Sequence, residues 1–329
     1  MKKILVIGGE GYIGKVLTNF LLEKNYKVTV LDNIIYGNQF NNLFIHKKNY
    51  KLINSNFSNL KILNYCSRDI DCVIILGGLV GDPITKKYPN LSKKINFDYT
   101  KKMINFFSKK ELKLIFVSTC SNYGFVKSKK KITERHSLNP LSLYAKFKVD
   151  IEKYIISLKG KTKMSPTILR FATAFGFSLR MRYDLTVNEF TRDLFYKKKI
   201  EVYDSDTYRP YCHVKDFARL IELVIVSKKN KTHFQIFNAG STKNNLSKRK
   251  LVNKILKYIP KSKVLFTKKS IDRRNYIVDF KKVKKVLGFK TKYDVDYGIK
   301  ELINLFKSRK YKAYKRKQFF WGNYKVKNG

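Results

Sequence analysis

Acidic residues are scarce in this chain: 24 aspartates and glutamates stand against 71 lysines and arginines in 329 residues, a formal charge of +47. Cysteine is scarce as well. Cys66, Cys72, Cys120 and Cys212 form no CxxC pair, which excludes a disulfide framework and fits a reducing compartment. The four histidines, His46, His136, His213 and His233, are scattered, and none falls at metal-ligand spacing from cysteine or carboxylate, so no metal is expected. Long apolar runs are missing too. The longest, "CVIILGGLVG", stops at Asp82-Pro83, short of the ~20 residues that a membrane helix needs. The opening "MKKILVIGGEG" breaks at Glu10 and its glycines before a secretory signal can form. These absences together predict a cytoplasmic protein without membrane insertion. A hydrophobic content of 43%, with 14% aromatics, is ample for a core and excludes a disordered chain.

The charge admits two readings. A strong positive balance suits a nucleic-acid or membrane-surface protein. Compositional drift explains more, because Lys, Asn, Ile, Phe and Tyr are abundant together and all have AT-rich codons. The lysines run from Lys2 to Lys327 instead of gathering on one element. Drift is the preferred reading, and a nucleic-acid partner is not expected. A positive field would still speed the arrival of phosphate-bearing ligands.

Short apolar strands alternate with amphipathic helices through the first half. "KILVIG" precedes a helix over 12–24, followed by "KVTVLD", "YKLINSN", "DCVIILGG", "KLIFVST" and "PTILRFATAFG". Such alternation predicts a doubly wound parallel sheet with right-handed crossovers. After about residue 177 the regularity loosens. "DLTVNEFTRDLFYKKK" reads as helix, "IEVYD" and "FQIFNAG" as strands, and "SKRKLVNKILKYI" as a helix capped by serine. The expected organisation is a Rossmann-type α/β domain over 1–177, with contributions from about 210–240. A smaller, partly interleaved C-terminal α/β substrate lobe takes 178–209 and 241–310. The basic, aromatic tail 311–329 has no period and is expected to fray.

Gly8, Gly11 and Gly14 in "GGEGYIG" lie between the first strand and the first helix. Small residues there let the backbone approach a pyrophosphate, which the free N–H groups of the helix N-terminus then stabilise. Alone, the turn could be a plain strand-to-helix connection. Asp32, closing "KVTVLD", supplies the companion: an acid that can accept both hydroxyls of an adenosine ribose and would repel the 2′-phosphate of NADP. No arginine immediately follows it, so NAD is the expected cofactor.

Tyr144 and Lys148 in "LYAKFK" stand four apart at the start of a predicted helix and share a face. That pair is common by chance in a chain this rich in both residues. "LIFVSTCSNYG", however, ends a strand in a run of hydroxyls. Thr119 would hydrogen-bond a reacting oxygen, and Tyr144 would take its proton. Lys148 and a positive nicotinamide would lower the tyrosine pKa while hydride leaves the same carbon for NAD.

The ordered set "GGEGYIG", Asp32, "VIILGGLVGDP", Asn96, "VSTCSNYG", Tyr144/Lys148, "LRFATAFG", "RPYCHVKDFAR", "FNAG" and "DRRNYIVD…LGF" covers the chain from Ile4 to about Phe306. It resembles the extended short-chain dehydrogenase/reductases of the NAD-dependent epimerase/dehydratase family, which act on nucleotide sugars. The resemblance implies cofactor contacts from Tyr12, Ile13, Asn33, Leu76, Ser118, Asn96 and Phe171. Asn56 and Phe57 fall where the family often has an Asp-apolar pair on adenine, and Gly77-Gly78 replaces the usual Ala-Ala. Substrate contacts are implied at Val80, Cys120, Ser121 and Thr173, with Asn188, Arg209 and Arg273 or Arg274 around the nucleotide diphosphate. Arg209 could instead be a surface ion-pair partner, Asp82-Pro83 a plain strand end, and His213 and Asp216 organisers of a turn. The 4,6-dehydratases of this family carry Asp-Glu directly after the catalytic threonine, and related decarboxylases keep an acid there. Cys120 and Ser121 cannot supply one, which leaves oxidation at C4. The expected activity is nucleotide-sugar epimerisation, in a homodimer formed through the Tyr144 helix. The alternatives are a net 4-dehydrogenase of a nucleotide-activated heptose and, from another class, an NAD-fold protein that binds RNA. "VGDP", "RMRYDLTVNEF" and "RNYIVD" also resemble a subgroup from cell-surface polysaccharide pathways.

Overall fold

The computed structural model describes residues 1–37, 47–126, 131–268, 274–308 and 322–326. Strand β1 (Lys3–Ile7) sends Ile4 and Val6 into one apolar layer and Leu5 and Ile7 into another. Apolar side chains on both faces mark a strand covered by helices on both sides. Helix α1 (Tyr12–Glu23) buries Leu17, Leu21 and Leu22 and returns the chain to β2 (Lys27–Asp32). β3 (Tyr50–Asn54), α2 (Leu60–Cys66) and β4 (Cys72–Ile75) follow. A broken helical run comes next: α3 (Asp82–Lys87), α4 (Pro89–Lys93), a π-turn and α5 (Thr100–Ser108). β5 (Lys113–Thr119), α6 (Leu143–Ser157) and β6 (Ser165–Phe171) complete the first half. The second half holds β7 (Thr173–Phe175), α7 (Thr186–Lys197), β8 (Lys199–Tyr203), β9 (Tyr208–His213) and α8 (Val214–Val226). After α9 (Lys229–Thr232) and β10 (Gln235–Ala239) come β11 (Asn245–Ser247) and α10 (Lys248–Leu256). β12 (Lys263–Thr267), α11 (Lys281–Leu287) and α12 (Val295–Lys307) close the order.

Seven parallel strands form the central sheet in the order β10-β6-β5-β4-β1-β2-β3. This is the Rossmann-type doubly wound sheet. The winding reverses between β1 and β4, which opens a crevice at their carboxyl ends. Helices α1 and α8 cover one face, and α5 and α6 the other. A third apolar cluster, with Phe175, Val187, Leu251 and Ile299, lies under the second half.

"PTILRFATAFG", read as one strand, is two. β6 ends against β10 at the Phe171–Ala239 pair, and β7 pairs instead with β9 from Thr173–Tyr211 onward. β9 also carries β11, giving a separate three-stranded sheet beside the crevice. The serine cap read from the sequence is in place, with Ser247 Oγ accepting the Lys250 N–H at 3.2 Å.

His213 and Asp216 organise the turn into α8. His213 Nδ1 accepts the Lys215 N–H at 3.2 Å, and its Nε2 lies 2.9 Å from Glu301 Oε2 on α12. Asp216, fully buried, accepts the main-chain N–H groups of Lys292 and Tyr293, each at 2.9 Å, and pairs with Arg219 at 2.5 Å. Asp216→Ala takes the buried acceptor from two part-buried N–H donors and the partner from Arg219 together. It should therefore lower unfolding stability by about 3 kcal/mol or more, read as a fall in the urea midpoint. An unchanged midpoint would refute this role.

Candidate functional site

A cavity of about 1060 Å³ opens at the carboxyl ends of β1 and β4, between the sheet and the second half of the chain. Its size matches the upper end of small-molecule sites, enough for two extended ligands side by side. The glycine turn forms its floor. A Cβ on Gly8, whose φ is +81°, would meet Gly77 Cα at 2.5 Å, and one on Gly14 would meet the Gly8 carbonyl oxygen at 2.5 Å. Only glycine lets β1, β4 and α1 converge this closely. No side chain caps α1 at Gly11, and Gly11, Tyr12, Ile13 and Gly14 all wall the cavity. The helix therefore presents an uncapped N-terminus to it, the ready-made form of an anion site.

Asp32 walls the same cavity at the end of β2. Its Oδ2 accepts the Glu10 N–H at 2.9 Å and its Oδ1 the Ile34 N–H at 2.8 Å. Burial pushes its pKa up against the pull of those two N–H groups. Each oxygen keeps a lone pair for a further donor, such as a sugar hydroxyl. Asn33, Phe57, Leu76, Gly77, Gly78 and Phe171 lie on the wall as well.

Thr119 ends β5 at the cavity, and its Oγ1 accepts the Ser121 N–H at 3.1 Å, leaving its O–H to donate. Tyr144 and Lys148, on the first two turns of α6, face the same space. Lys148 is 7% exposed. Its Nζ donates to the Val117 carbonyl at 2.8 Å and lies 4.7 Å from the centre of the Phe116 ring. Burial pulls the Lys148 pKa down to about 8, opposed by the charge of Glu152. Burial also pushes Tyr144 up, with Arg182 the strongest opposing charge. In the protein alone, then, Arg182 rather than Lys148 is the main cation acting on the tyrosine.

Glu152, one further turn along the same face of α6, was missed by the sequence reading, although the spacing of four from Lys148 repeats that from Tyr144. It accepts Arg170 Nε at 3.0 Å and Nη2 at 2.6 Å, and Asn122 Nδ2 at 2.8 Å. It also accepts the Ser118 hydroxyl. Ser118, which reaches the cavity wall, thus has its hydroxyl proton engaged from behind.

Val80, Ser121, Thr173, Arg209 and Arg274 also reach the cavity. Arg209 is only 6% exposed and lies over the Tyr276 ring, 5.2 Å from its centre, so it is no surface ion-pair partner. Arg274 Nη1 bridges to Asp82 Oδ2 at 2.8 Å, giving that acid a role beyond ending a strand. Four expected contacts lie elsewhere. Cys120 is buried behind the wall, its thiol donating to the Arg170 carbonyl, and burial pushes its pKa far up. Asn56 folds back to accept the Ser58 N–H at 2.9 Å. Asn96 exchanges two hydrogen bonds with the Leu79 main chain, at 2.8 and 2.9 Å. Asn188, fully buried, accepts the Gly176 N–H and donates to Tyr12 Oη and the Arg182 carbonyl, each at 3.0 Å. These three amides are held by main chain or core partners and shape the wall from behind. Arg273 lies outside the described residues.

Other residues were unforeseen. Arg180 stacks on the Tyr36 ring, 4.7 Å from its centre, and Arg182 pairs with Asp184 through both nitrogens, at 3.1 and 2.5 Å. All four wall the cavity. Arg180, Arg182 and Asp184 sit in "RMRYD", between β7 and α7, where no periodicity marks them, and Tyr36 follows β2. The tail also departs from expectation over 322–326. Asn323 is 4% exposed, donates to the Val80 carbonyl at 2.7 Å and accepts from Arg180 Nη1 at 2.8 Å. Val326 packs into the α5/α6 layer. This stretch therefore crosses the cavity mouth from one half of the chain to the other.

Several known proteins resemble this chain over nearly its whole length. A putative UDP-glucose 4-epimerase of Methanocaldococcus jannaschii is 26% identical over 318 residues, covering 93% of this chain and 98% of that protein. The solved UDP-glucose 4-epimerase of Thermotoga maritima, with UDP-glucose, superposes with a TM-score of 0.82 at 22% identity, covering 93% of this chain and 98% of that one. The UDP-glucuronic acid 4-epimerase of Bacillus cereus, with UDP-glucuronic acid and NAD, gives 0.80 at 22%, covering 92% and 98%. Among the described residues no helix is long and apolar enough to cross a membrane. The model of the NAD dependent epimerase/dehydratase family matches residues 4–240, and this chain is a member of that family, an NAD-dependent enzyme.

Proposed function

We propose that the enzyme is a nucleotide-sugar 4-epimerase. The observation that carries this reading is one shared wall. Thr119, Tyr144 and Lys148 line the same cavity as the glycine turn and Asp32, and Arg209 and Arg274 line it as well. NAD, when bound, supplies the hydride acceptor and returns the hydride. The uncapped N-terminus of α1 would hold its pyrophosphate and Asp32 its ribose. Arg209 and Arg274 suit a diphosphate because a guanidinium binds phosphate with a two-pronged fork.

Within that frame the chain's own groups divide the work. Thr119 donates its hydroxyl proton to the sugar oxygen at the reacting carbon and fixes its direction. Tyr144 takes the proton from that oxygen and later gives it back. Arg182 places positive charge near the phenol and so opposes the burial that raises it. Cys120 is turned away and Ser121 is no acid, so position 120–121 offers no general acid or base for losing water. The relatives described as 4-epimerases support the sugar carbon chosen. The same reading carries a cytoplasmic homodimer joined through α6, where Leu143 and Ile156 are exposed. Supply of sugars for cell-surface polysaccharide rests on the quoted segments "VGDP", "RMRYDLTVNEF" and "RNYIVD".

Tyr144→Phe should cut turnover at least ~10²-fold while leaving NAD affinity within a few-fold. The assay presents UDP-, GDP-, CDP- and dTDP-sugars and follows NADH absorbance together with product stereochemistry. Retained turnover would remove Tyr144 from the mechanism. A released keto sugar with stoichiometric NADH would replace epimerase by dehydrogenase. Salt-sensitive RNA retention with no dinucleotide bound would reject the enzyme reading altogether.

Lys148 gives a second test with a defined sign. Its folded pKa of about 8 lies below the ordinary 10.5. The unfolded chain therefore binds the extra proton between those two values, and stability rises with pH across that window. Below pH 8 the cost of the buried ammonium is felt in full. Lys148→Met should abolish turnover yet be more stable at pH 7 by roughly 1–3 kcal/mol. The advantage should shrink in thermal melts as pH climbs toward 10.5. A gap that ignores pH would show that Lys148 is not desolvated.

A further inference from the structure

Asp32 does not stand alone at the end of β2. Its bond to the Glu10 N–H brings a second acid to the same stretch of cavity wall. Glu10 is 7% exposed and Lys15 is 3% exposed. Glu10 Oε2 meets Lys15 Nζ at 2.5 Å, and Oε1 accepts the Tyr50 hydroxyl at 3.1 Å. Glu10 walls the cavity, whereas Lys15 lies behind it. A buried ion pair therefore joins the glycine turn to α1 just behind the cavity wall.

Holding the turn does not require this pair. Desolvating two charges costs several kcal/mol per ion, and apolar groups of the same volume generally serve as well. Charge selection does require it. Two acids, Asp32 and Glu10, stand with two bases: Lys15 pairs with Glu10, and the charge of Arg180 reaches Asp32. The set is balanced. A neutral ribose hydroxyl leaves it so, whereas a 2′-phosphate adds a charge of about −1.5 to −2 beside Asp32. With Glu10 neutralised, the set would turn net positive and offer that phosphate a partner.

We propose that Glu10 is a second determinant of NAD over NADP, acting by masking the buried Lys15 ammonium at the ribose end of the cavity. It rests on the reading of Asp32 as the acid that holds the ribose. Titration calorimetry of full-length protein with NAD and with NADP tests it. Glu10→Gln should tighten NADP ~10-fold or more and move NAD less than ~3-fold. Lys15→Met, which leaves Glu10 uncovered beside Asp32, should weaken NADP further, and the double variant should return toward the wild-type ratio. Circular dichroism shows which variants are folded, and either single variant suffices. Equal losses of both dinucleotides in a folded variant would make the pair a mere brace and overturn the proposal. So would a wild type that binds NADP as well as NAD. A wild type that binds neither would overturn the ribose reading of Asp32 along with it.

Discussion

The buried pair of Glu152 and Arg170 is the contact on which the α6 side of the cavity depends. It joins α6 to β6 beneath the end of β5, with both side chains almost wholly removed from water. Two charges at that depth are costly unless every polar atom is met. Here the carboxylate also takes Ser118 and Asn122, and the guanidinium also donates to Tyr123 Oη at 3.0 Å and the Glu134 carbonyl at 3.2 Å. Tyr123 passes the chain on to Asn238 on β10 at 2.6 Å. One network therefore ties three neighbouring strands and the turn after β5 to a single helix. Tyr144 and Lys148 lie on the same face of that helix as Glu152. The depth and rotation of α6 that satisfy the ion pair are the ones that turn those two residues to the cavity.

The cavity's other side is held by contacts between halves of the chain. Arg274 reaches Asp82 across the mouth, and Asn323 joins the loop after β4 to Arg180. Tyr12, in the first turn of α1, donates to the Gly176 carbonyl at 2.7 Å and accepts from Asn188. The cofactor end and the segment after β7 are thus braced by one buried phenol. A nucleotide lying along this seam would meet groups from both halves, which couples its binding to their approach.

Much of this was legible because local rules and tertiary demands agreed. Strands β1 to β5 carried apolar residues on both faces, and an acid closed β2 where a ribose-binding strand needs one. Tyr144 and Lys148 were legible as a pair, but the third member of their face, Glu152, was not sought, since an exposed salt bridge explains most helical acids equally well. Arg180 and Arg182 could not be placed because no period governs the segment after β7. The break between β6 and β7 was hidden by "TILRFATAFG", whose residues suit a strand throughout; the partner strand, not propensity, decides where one sheet ends. Asn96 and Asn188 show another limit. An amide offers both donor and acceptor, so it serves a ligand and a buried main chain equally well, and sequence does not tell the two apart.

The placement of the few acids bears on the charge. In a chain with 24 acids against 71 bases, chance placement would leave most acids on the surface beside the lysines. Several instead occupy buried or half-buried positions with defined partners. Glu10 lies against Lys15, Glu152 against Arg170 and Asp184 against Arg182. Asp216 holds two main-chain N–H groups, and Glu301 holds His213, Lys215 and the Phe177 N–H. Its partners pull the Glu301 pKa down to about 2, against the burial that opposes them. At these positions a neutral residue would strand a buried cation or N–H donor, so an acid is hard to lose. On an open surface an acid contributes a few tenths of a kcal/mol and is easily exchanged for a neutral or basic residue. A basic exterior with its lysines spread along the whole chain is the pattern that drift in composition produces. A nucleic-acid interface would instead gather its cations on one face. Most of the excess charge thus lies on the solvent side of the molecule, where exposed lysines follow one another along the whole chain and an acid has little to hold it in place.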